Sequence, residues 1–247
     1  MTGNLAGGIL TDLSKAFDCL DHDLLIAKLE AYGFEKSALT FLYSYLSERR
    51  QRTKVNNFVS DWLYILLGVP QGSILGPILF NIFMNDIFYF VQNKCLANYA
   101  DDNTPHTTGC DIATILHTLE NETDILLKWF NINYFKMNAD KCKLLVTKNS
   151  DNVSVQIDGH YIKGSINVKL LGVKIDNTLS FNDHVSSIYK KGSQKLHAIA
   201  RVSPYLSTQK LRVLLKAFIC RPDGRLDSWP ASHFESLNVS RFECLKV

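Results

Sequence analysis

Two adjacent carboxylates after a short apolar stretch constrain this chain more than any other feature. Residues 95–97 are apolar and are followed by Asn98-Tyr99-Ala100-Asp101-Asp102-Asn103. A short strand would therefore end on Asp101 and Asp102 at a tight turn, where Asp is sterically tolerated. Neighbouring carboxylates repel each other unless a cation lies between them. A solvated Asp-Asp turn is the alternative interpretation, and this stretch alone leaves both open.

Length and composition restrict the class of protein without identifying a function. A chain of 247 residues, of which 46% are hydrophobic and 21% charged, can bury a sizeable core in one large domain or two small ones. The formal net charge is only +3, so any nucleic-acid partner must be recognised by local charge. Six scattered cysteines without a Cys-x-x-Cys pair argue against a zinc site or a disulfide framework. We see no signal peptide and no apolar run of about 18 residues, so we expect an intracellular protein, in the nucleus or the cytoplasm, with no membrane partner.

A further carboxylate lies in an apolar segment near the start of the chain. Residues 8–13 predict a buried strand that carries Asp12, and burying Asp there is costly without a partner or a metal. Asp12 and Asp101 are far apart in the sequence, each at or near a predicted strand end. If these strands are neighbours, Asp12, Asp101 and Asp102 could converge on a pair of divalent cations such as Mg²⁺.

The remaining periodicity predicts alternating helices and strands. We expect helices at 22–32, 37–46, 77–87, 111–131 and 185–218, the last divided near Ser203-Pro204, and strands at 48–55, 62–67, 103–108, 142–146, 153–157 and 168–175. Asp21 is predicted to cap the first helix and Gly33 to end it. Pro105 is expected to make its strand an edge strand. This order predicts an α+β fold: an antiparallel, ferredoxin-like, palm-like sheet with helices on one face, followed by a helical subdomain.

A loop rich in glycine and proline covers residues 68–77. Its composition predicts a rigid loop whose backbone can approach a ligand closely, with Pro77 in the first turn of the next helix. A purely structural loop-to-helix junction is the alternative, although it leaves Gln71 without a role. For Asp18 and Asp21, turn and cap chemistry is the favoured interpretation.

Five segments, taken in chain order, resemble the motifs of reverse transcriptases. Residues 12–18 are similar to motif A, residues 68–86 to motif B, and Tyr99-Ala100-Asp101-Asp102 to motif C. Trp129 with residues 137–141 resembles motif D, and residues 169–173 resemble motif E, the primer-grip hairpin. The residues within these motifs are most similar to those of non-LTR (LINE-type, jockey-like) retrotransposon enzymes. The resemblance spans about residues 7–219.

The resemblance implies an RNA-directed DNA polymerase that uses an RNA template, a DNA primer, dNTPs and two Mg²⁺ ions, with Mn²⁺ as a substitute. It implies Asp12, Asp101 and Asp102 as catalytic metal ligands. The Leu13 carbonyl would serve one ion. Lys141 would act as a general acid toward the departing pyrophosphate, with a plain surface lysine as the alternative.

The same resemblance assigns residues to the nucleotide. Phe17 stands where the family keeps an aromatic ring under the incoming sugar, and that ring would exclude a 2′-hydroxyl; a plain core residue is the alternative. Gln71 and Gly72 would lie against the nascent base pair. The basic helices after residue 185 resemble the thumb, which grips a duplex backbone in a salt-sensitive way; a solvated helix face is the alternative.

The implied organisation is a palm with residual fingers at 1–178, a partial helical thumb at 179–220, and a divergent, frameshifted or disordered tail at 221–247. The family's fingers precede motif A, whereas 11 residues precede Asp12 here, and Arg49, Arg50 and Arg52 follow motif A. An inactive relic that folds and binds nucleic acid non-specifically is therefore an alternative function. A Mg²⁺-dependent nuclease that uses the same aspartates is another.

Overall fold

The computed structural model describes residues 5–91, 95–148 and 153–218. Its strands are β1 Leu5–Leu10, β2 Arg50–Gln51, β3 Lys54–Val55, β4 Phe58–Val59, β5 Leu63–Tyr64, β6 Leu96–Tyr99, β7 Asp102–Gly109, β8 Lys143–Val146, β9 Ser154–Ile157, β10 His160–Lys163, β11 Asn167–Leu170 and β12 Val173–Asp176. Its α-helices are α1 His22–Ala31, α2 Lys36–Leu46, α3 Leu75–Met84, α4 Ile87–Phe90, α5 Ile112–Ile132, α6 Asn182–Val202 and α7 Thr208–Phe218. Short 3₁₀ turns cover Ala16–Asp18, Ala139–Lys141 and Ser203–Tyr205.

The α+β fold class is confirmed, and the coarse order of strands and helices agrees with the prediction. The strands predicted at 48–55 and 168–175 are each divided in two, the latter as the hairpin β11–β12. The chain divides into two compact units, Met1–Ser180 and Phe181–Val247. The predicted division of the final helices at Ser203-Pro204 is present as the 3₁₀ turn between α6 and α7. The predicted divergent tail, 221–247, lies outside the described residues.

A four-stranded antiparallel sheet organises the first unit, with strand order β6-β7-β1-β8. Helix α5 packs on one face of this sheet, where β1 contributes a glycine. A Cβ atom on Gly7 would lie 2.5 Å from Ile115 Cγ2, so the missing side chain lets the helix approach the strand closely. The candidate acidic residues Asp12, Asp101 and Asp102 lie just beyond the end of β1 and at the β6–β7 turn.

The prediction that Pro105 marks an edge strand is wrong, because β7 lies between β6 and β1. The regular β1–β7 pairing stops at Gly8 opposite His106 and resumes at Thr11 opposite Asn103. Proline has no N–H to donate to a ladder. The fold therefore accommodates Pro105 in an interior strand through a local break in the pairing.

Local signals for the first helix and for the loop-to-helix junction are confirmed. Asp21 caps α1, since its Oδ1 accepts a hydrogen bond of 2.8 Å from the Leu24 N–H. Gly33 follows the helix with φ +88°, a conformation that glycine adopts without a Cβ penalty. Pro77 lies in the first turn of α3.

A two-stranded ribbon formed by residues 49–65 connects α2 to the glycine-rich loop; we call it the basic ribbon. Strand β2 pairs with β5, and β3 pairs with β4. Every residue of these four strands is exposed.

None of the helices in the described ranges combines the length and apolar character needed to cross a bilayer.

Candidate active site

Antiparallel pairing brings the two acidic segments together. Beyond the end of β1, the Thr11 N–H and the Thr11 hydroxyl donate hydrogen bonds of 3.0 and 2.9 Å to the Asn103 carbonyl. Asp12 follows Thr11 and Asp102 precedes Asn103, so the two acids occupy neighbouring positions on adjacent strands. The strands that carry Asp12 and Asp102 are therefore neighbours, as predicted.

The turn that carries Asp101 is held by two asparagines that the sequence argument did not single out. Ala100 adopts φ +53°, a left-handed conformation that costs about 1–2 kcal/mol for an L-residue. Asn98 Nδ2 donates to the Ala100 carbonyl at 3.0 Å and to Asn103 Oδ1 at 2.8 Å. Asn103 Nδ2 in turn donates to the Asp101 carbonyl at 3.1 Å. The available signal was their symmetric placement around the turn, because Asn readily bonds to nearby backbone.

Asp12, Asp102 and Lys141 line one small cleft of about 130 Å³. The Lys141 ammonium lies 3.3 Å from Asp12 Oδ2. The backbone around Asp12 is also fixed, since its carbonyl accepts a hydrogen bond of 2.8 Å from the Asn138 N–H. Motif A and motif D, as named by resemblance, therefore share one cleft.

Asp12 and Asp102 line this cleft, whereas Asp101 does not, yet both Asp12 and Asp101 disfavour the charge on Asp102. Burial raises the pKa of Asp102, and repulsion from Asp101 and from Asp12 adds to the rise. Asp12 Oδ2 is buried and has no hydrogen-bond donor among the described residues, although the Lys141 ammonium is close enough for an ion pair. Burial likewise raises the pKa of the nearby Cys142 thiol. A hydrogen bond with the Asp12 backbone opposes this rise, whereas the negative charge of Asp12 adds to it.

The fit of this site to a divalent cation can be judged from these groups. Within residues 5–91, 95–148 and 153–218, no three His, Cys, Asp or Glu side chains form a cluster that could hold a metal ion. However, Asp12 presents an orphaned buried oxygen, and repulsion among three carboxylates is what a cation relieves. Carboxylate and carbonyl oxygens are the donors that Mg²⁺ prefers. The donor chemistry of Asp12, Asp101 and Asp102 therefore fits Mg²⁺, without a preformed cage in the described structure.

Two of the three residues predicted for the nucleotide site, Phe17 and Gln71, line separate clefts. Phe17 contributes to a cleft of about 410 Å³ that also includes Tyr99 and Ala100 of the acidic turn. Gln71 contributes to a cleft of about 760 Å³, and its Nε2 donates a hydrogen bond of 2.8 Å to Asp18 Oδ1. Asp18 thus has a specific partner, which neither turn nor cap chemistry predicts.

The remaining predicted site residues have simpler surroundings. Leu13 is buried and bridges to Met137 through the backbone. Gly72 has φ +82°, and a Cβ placed there would meet none of the described residues within 4 Å.

In addition to the Gln71–Asp18 hydrogen bond, three hydrogen bonds to the start of the glycine-rich loop join it to the segment that carries Phe17. The Gly68 N–H donates to the Leu20 carbonyl at 2.6 Å, and the Val69 N–H donates to the Phe17 carbonyl at 3.0 Å. The His22 Nε2–H donates to the Gly68 carbonyl at 2.8 Å. Phe17 and the loop before Gln71 are therefore held in a fixed relation.

Replacing Gly68 by alanine is expected to lower the free energy of unfolding by about 2–4 kcal/mol, from backbone strain plus overpacking. Gly68 has φ +81°, and a Cβ there would lie 2.7 Å from Asp18 Cα and 2.8 Å from the Phe17 carbonyl oxygen. Gly72→Ala is the matched control, because only backbone strain of about 1 kcal/mol applies there. Urea denaturation followed by circular dichroism measures both variants, and equal losses would show that the close approach at Gly68 carries no energy.

The sequence of this chain is similar to one known protein family and to curated members of it. Residues 3–175 match the sequence family described as "Reverse transcriptase (RNA-dependent DNA polymerase)". The chain is 28% identical over 207 residues to an RNA-directed DNA polymerase from the mobile element jockey of Drosophila melanogaster, covering 80% of this chain and 22% of that protein. It is 27% identical over 222 residues to a probable RNA-directed DNA polymerase from transposon BS of the same species, covering 85% and 24%. The chain thus spans about a quarter of the length of these relatives.

Among solved structures, the chain is similar to apo telomerase from Candida tropicalis truncated from its C-terminal domain. The TM-score is 0.51 at 14% sequence identity, over 72% of this chain and 35% of that one. At this identity the likeness concerns the fold, and it agrees with the observed α+β sheet and helices.

Proposed function

Because this chain belongs to the reverse transcriptase family, we propose that it forms the catalytic palm of an RNA-directed DNA polymerase from a non-LTR mobile element. One observation carries the proposal: the β1–β7 pairing sets Asp12 beside Asp102 in one cleft with Lys141. The proposed reaction is attack of a DNA primer 3′-hydroxyl on the α-phosphate of a dNTP paired with an RNA template. A new phosphodiester bond forms, and pyrophosphate leaves.

Asp12, Asp101 and Asp102 would hold the metal, with the Leu13 carbonyl as an additional oxygen ligand. When bound, two Mg²⁺ ions, or Mn²⁺ in their place, would stabilise charge on the attacking and leaving oxygens. The fixed backbone of Asp12 and the asparagine-clamped turn keep the acidic segments in place before substrate arrives. Such preorganisation is an effective part of catalysis when the protein does little covalent chemistry.

Lys141 is the proposed general acid. Its Nζ lies 3.3 Å from Asp12 Oδ2, so the amine stands at the edge of the acidic cleft. In the reaction, Lys141 Nζ would supply a proton to the departing pyrophosphate.

Phe17 is the proposed sugar-selecting residue. Its ring stacks on Phe80 with centroids 4.1 Å apart and an interplanar angle of 20°, so a buried neighbour fixes its position. A fixed ring would obstruct a 2′-hydroxyl and favour deoxynucleotides. Gln71 and Gly72 are proposed to lie against the nascent base pair, with Gln71 oriented by Asp18.

We further propose that the helices after residue 180 act as a partial thumb on a primer–template duplex, with residues 1–178 as palm and residual fingers. The reaction would take place inside the cell, in the nucleus or the cytoplasm, where template, primer and dNTPs are present.

Primer extension tests this function directly. The purified chain, an RNA template with an annealed DNA primer, and dNTPs should give extended DNA only when Mg²⁺ or Mn²⁺ is added. Ribonucleotides should be used poorly, and equal use of them would contradict the role of Phe17.

Two results would replace the proposal. A folded sample that incorporates nothing would indicate an inactive relic of the family. Cleavage of the nucleic acid in the absence of dNTPs would instead indicate a nuclease that uses the same aspartates.

A further inference from the structure

The basic ribbon carries positive and aromatic side chains on one face. Arg50 pairs with Tyr64 across the strands, and successive side chains in a strand point to opposite faces. Arg52 and Trp62, each two residues nearer the tip of the ribbon, contact each other in the same way. The structure thus gathers two cations and two aromatic rings in two neighbouring exposed pairs.

Two cross-strand stacks organise this face. The guanidinium carbon of Arg50 lies 4.6 Å from the Tyr64 ring centroid, and that of Arg52 lies 4.6 Å from the Trp62 ring centroid. Even so, Tyr64 remains 58% exposed and Trp62 55% exposed. An arginine stacked through its planar face keeps its N–H edges available for anionic oxygens.

Positive charge predominates on the ribbon. Residues 49–65 contain one carboxylate, Asp61, and four cationic side chains, those of Arg49, Arg50, Arg52 and Lys54. In the described ranges, Arg50, Arg52 and Lys54 make no ion pair, whereas Lys28 and Lys141 do. The cations on the ribbon are therefore available to an external polyanion.

An independent observation at the base of the ribbon also points to a ligand that accepts hydrogen bonds. Arg49 Nη1 is buried, yet it has no hydrogen-bond partner among the described residues. Leaving a buried charged donor unsatisfied is costly. Arg49 lines the cleft of about 760 Å³ together with Lys15 and Gln71, so the ribbon leads directly to the proposed base-pair site.

From these contacts we propose that the basic ribbon binds an unpaired nucleic-acid strand. Bases stack on Trp62, Tyr64 and the guanidinium planes beside them, and the Arg49 guanidinium donates hydrogen bonds to a backbone phosphate. Single strands offer exposed base faces for such stacking, whereas a duplex hides them. Identifying this strand as the template that enters the cleft rests on the proposed function; the binding itself does not.

Fluorescence anisotropy tests the proposal without chemistry. The full chain is titrated into labelled 12-nucleotide oligo(U), oligo(dT) and a blunt duplex of equal length, in low salt without Mg²⁺ or dNTPs. Trp62→Ala should weaken binding to the single strands by about 10-fold, and Arg52→Gln should weaken it and flatten its salt dependence. Tyr161→Ala is the matched control, because Tyr161 is 69% exposed on a different hairpin, and it should leave the affinity unchanged.

The outcomes separate this inference from the polymerase proposal. Wild-type affinity in both ribbon variants, or binding of the blunt duplex at least as tightly as the single strands, would overturn the ribbon assignment even if primer extension succeeds. Loss of single-strand binding in both variants supports it even if the wild type extends no primer. Tighter binding of oligo(U) than of oligo(dT) would additionally support an RNA template as the bound strand.

Discussion

Asp101→Ala should reduce the rate of primer extension by at least about 10²–10³-fold, the loss expected when a key electrostatic stabiliser is removed from an active site. The Asp101 side chain makes no hydrogen bond or ion pair within the described residues, although its charge helps to raise the pKa of Asp102. Removing it therefore relieves repulsion and should leave the fold intact or slightly more stable. The rate is measured from extension of a labelled primer on an RNA template at saturating Mg²⁺.

The control for this variant is Asp124→Ala, which removes an exposed carboxylate from α5. It should extend the primer at the wild-type rate. Titration of Mg²⁺ should also show that Asp101→Ala requires a higher metal concentration, if any product forms. Wild-type extension by Asp101→Ala would contradict the assignment of the acidic turn as a metal ligand.

Phe80→Ala is the substitution expected to cost the most stability, about 3–5 kcal/mol, because truncating a buried Phe loses burial and leaves a cavity. Phe80 is fully buried, stacks on Phe17 at 4.1 Å and lies 6.2 Å from the Phe135 ring. Since Phe80 supports Phe17, the variant should also discriminate less between dNTPs and ribonucleotides. Guanidinium-induced unfolding followed by circular dichroism measures the first effect.

A matched aromatic truncation is available on the basic ribbon. Phe58 is 83% exposed, so Phe58→Ala should change the free energy of unfolding by no more than about 0.5 kcal/mol. A small loss for Phe80→Ala, comparable to that of Phe58→Ala, would mean that the aromatic cluster under the site does not support the fold.

Much of the local structure followed from local signals. The Asp21 cap, the Gly33 stop and the position of Pro77 each depend on atoms within a few residues of one chain segment, and each was confirmed. The amphipathic helix predicted at 111–131 is present as Ile112–Ile132. The acidic turn was also anticipated from its own residues, while its catalytic role stays a prediction.

The errors and omissions involve contacts between distant segments. Pro105 suggested an edge strand, yet a break in the pairing lets β7 lie inside the sheet. The hydrogen bond from Gln71 to Asp18 joins two motifs that had been assigned separate roles. The Arg–aromatic stacks of the basic ribbon arise from a strand register that composition does not specify.

The sequence by itself determined the helix caps, the turns and the coarse order of elements, because these depend on short-range sterics and hydrogen bonding. It also determined the family, because the family is recognised from the residues of its motifs. Only the tertiary structure decided that Asp12, Asp102 and Lys141 share one cleft. It also decided that Arg49 Nη1, at the base of the basic ribbon, is buried without a hydrogen-bond partner within the described residues. Strand order and register are set by burial of one sheet face under α5, which no local stretch of residues encodes.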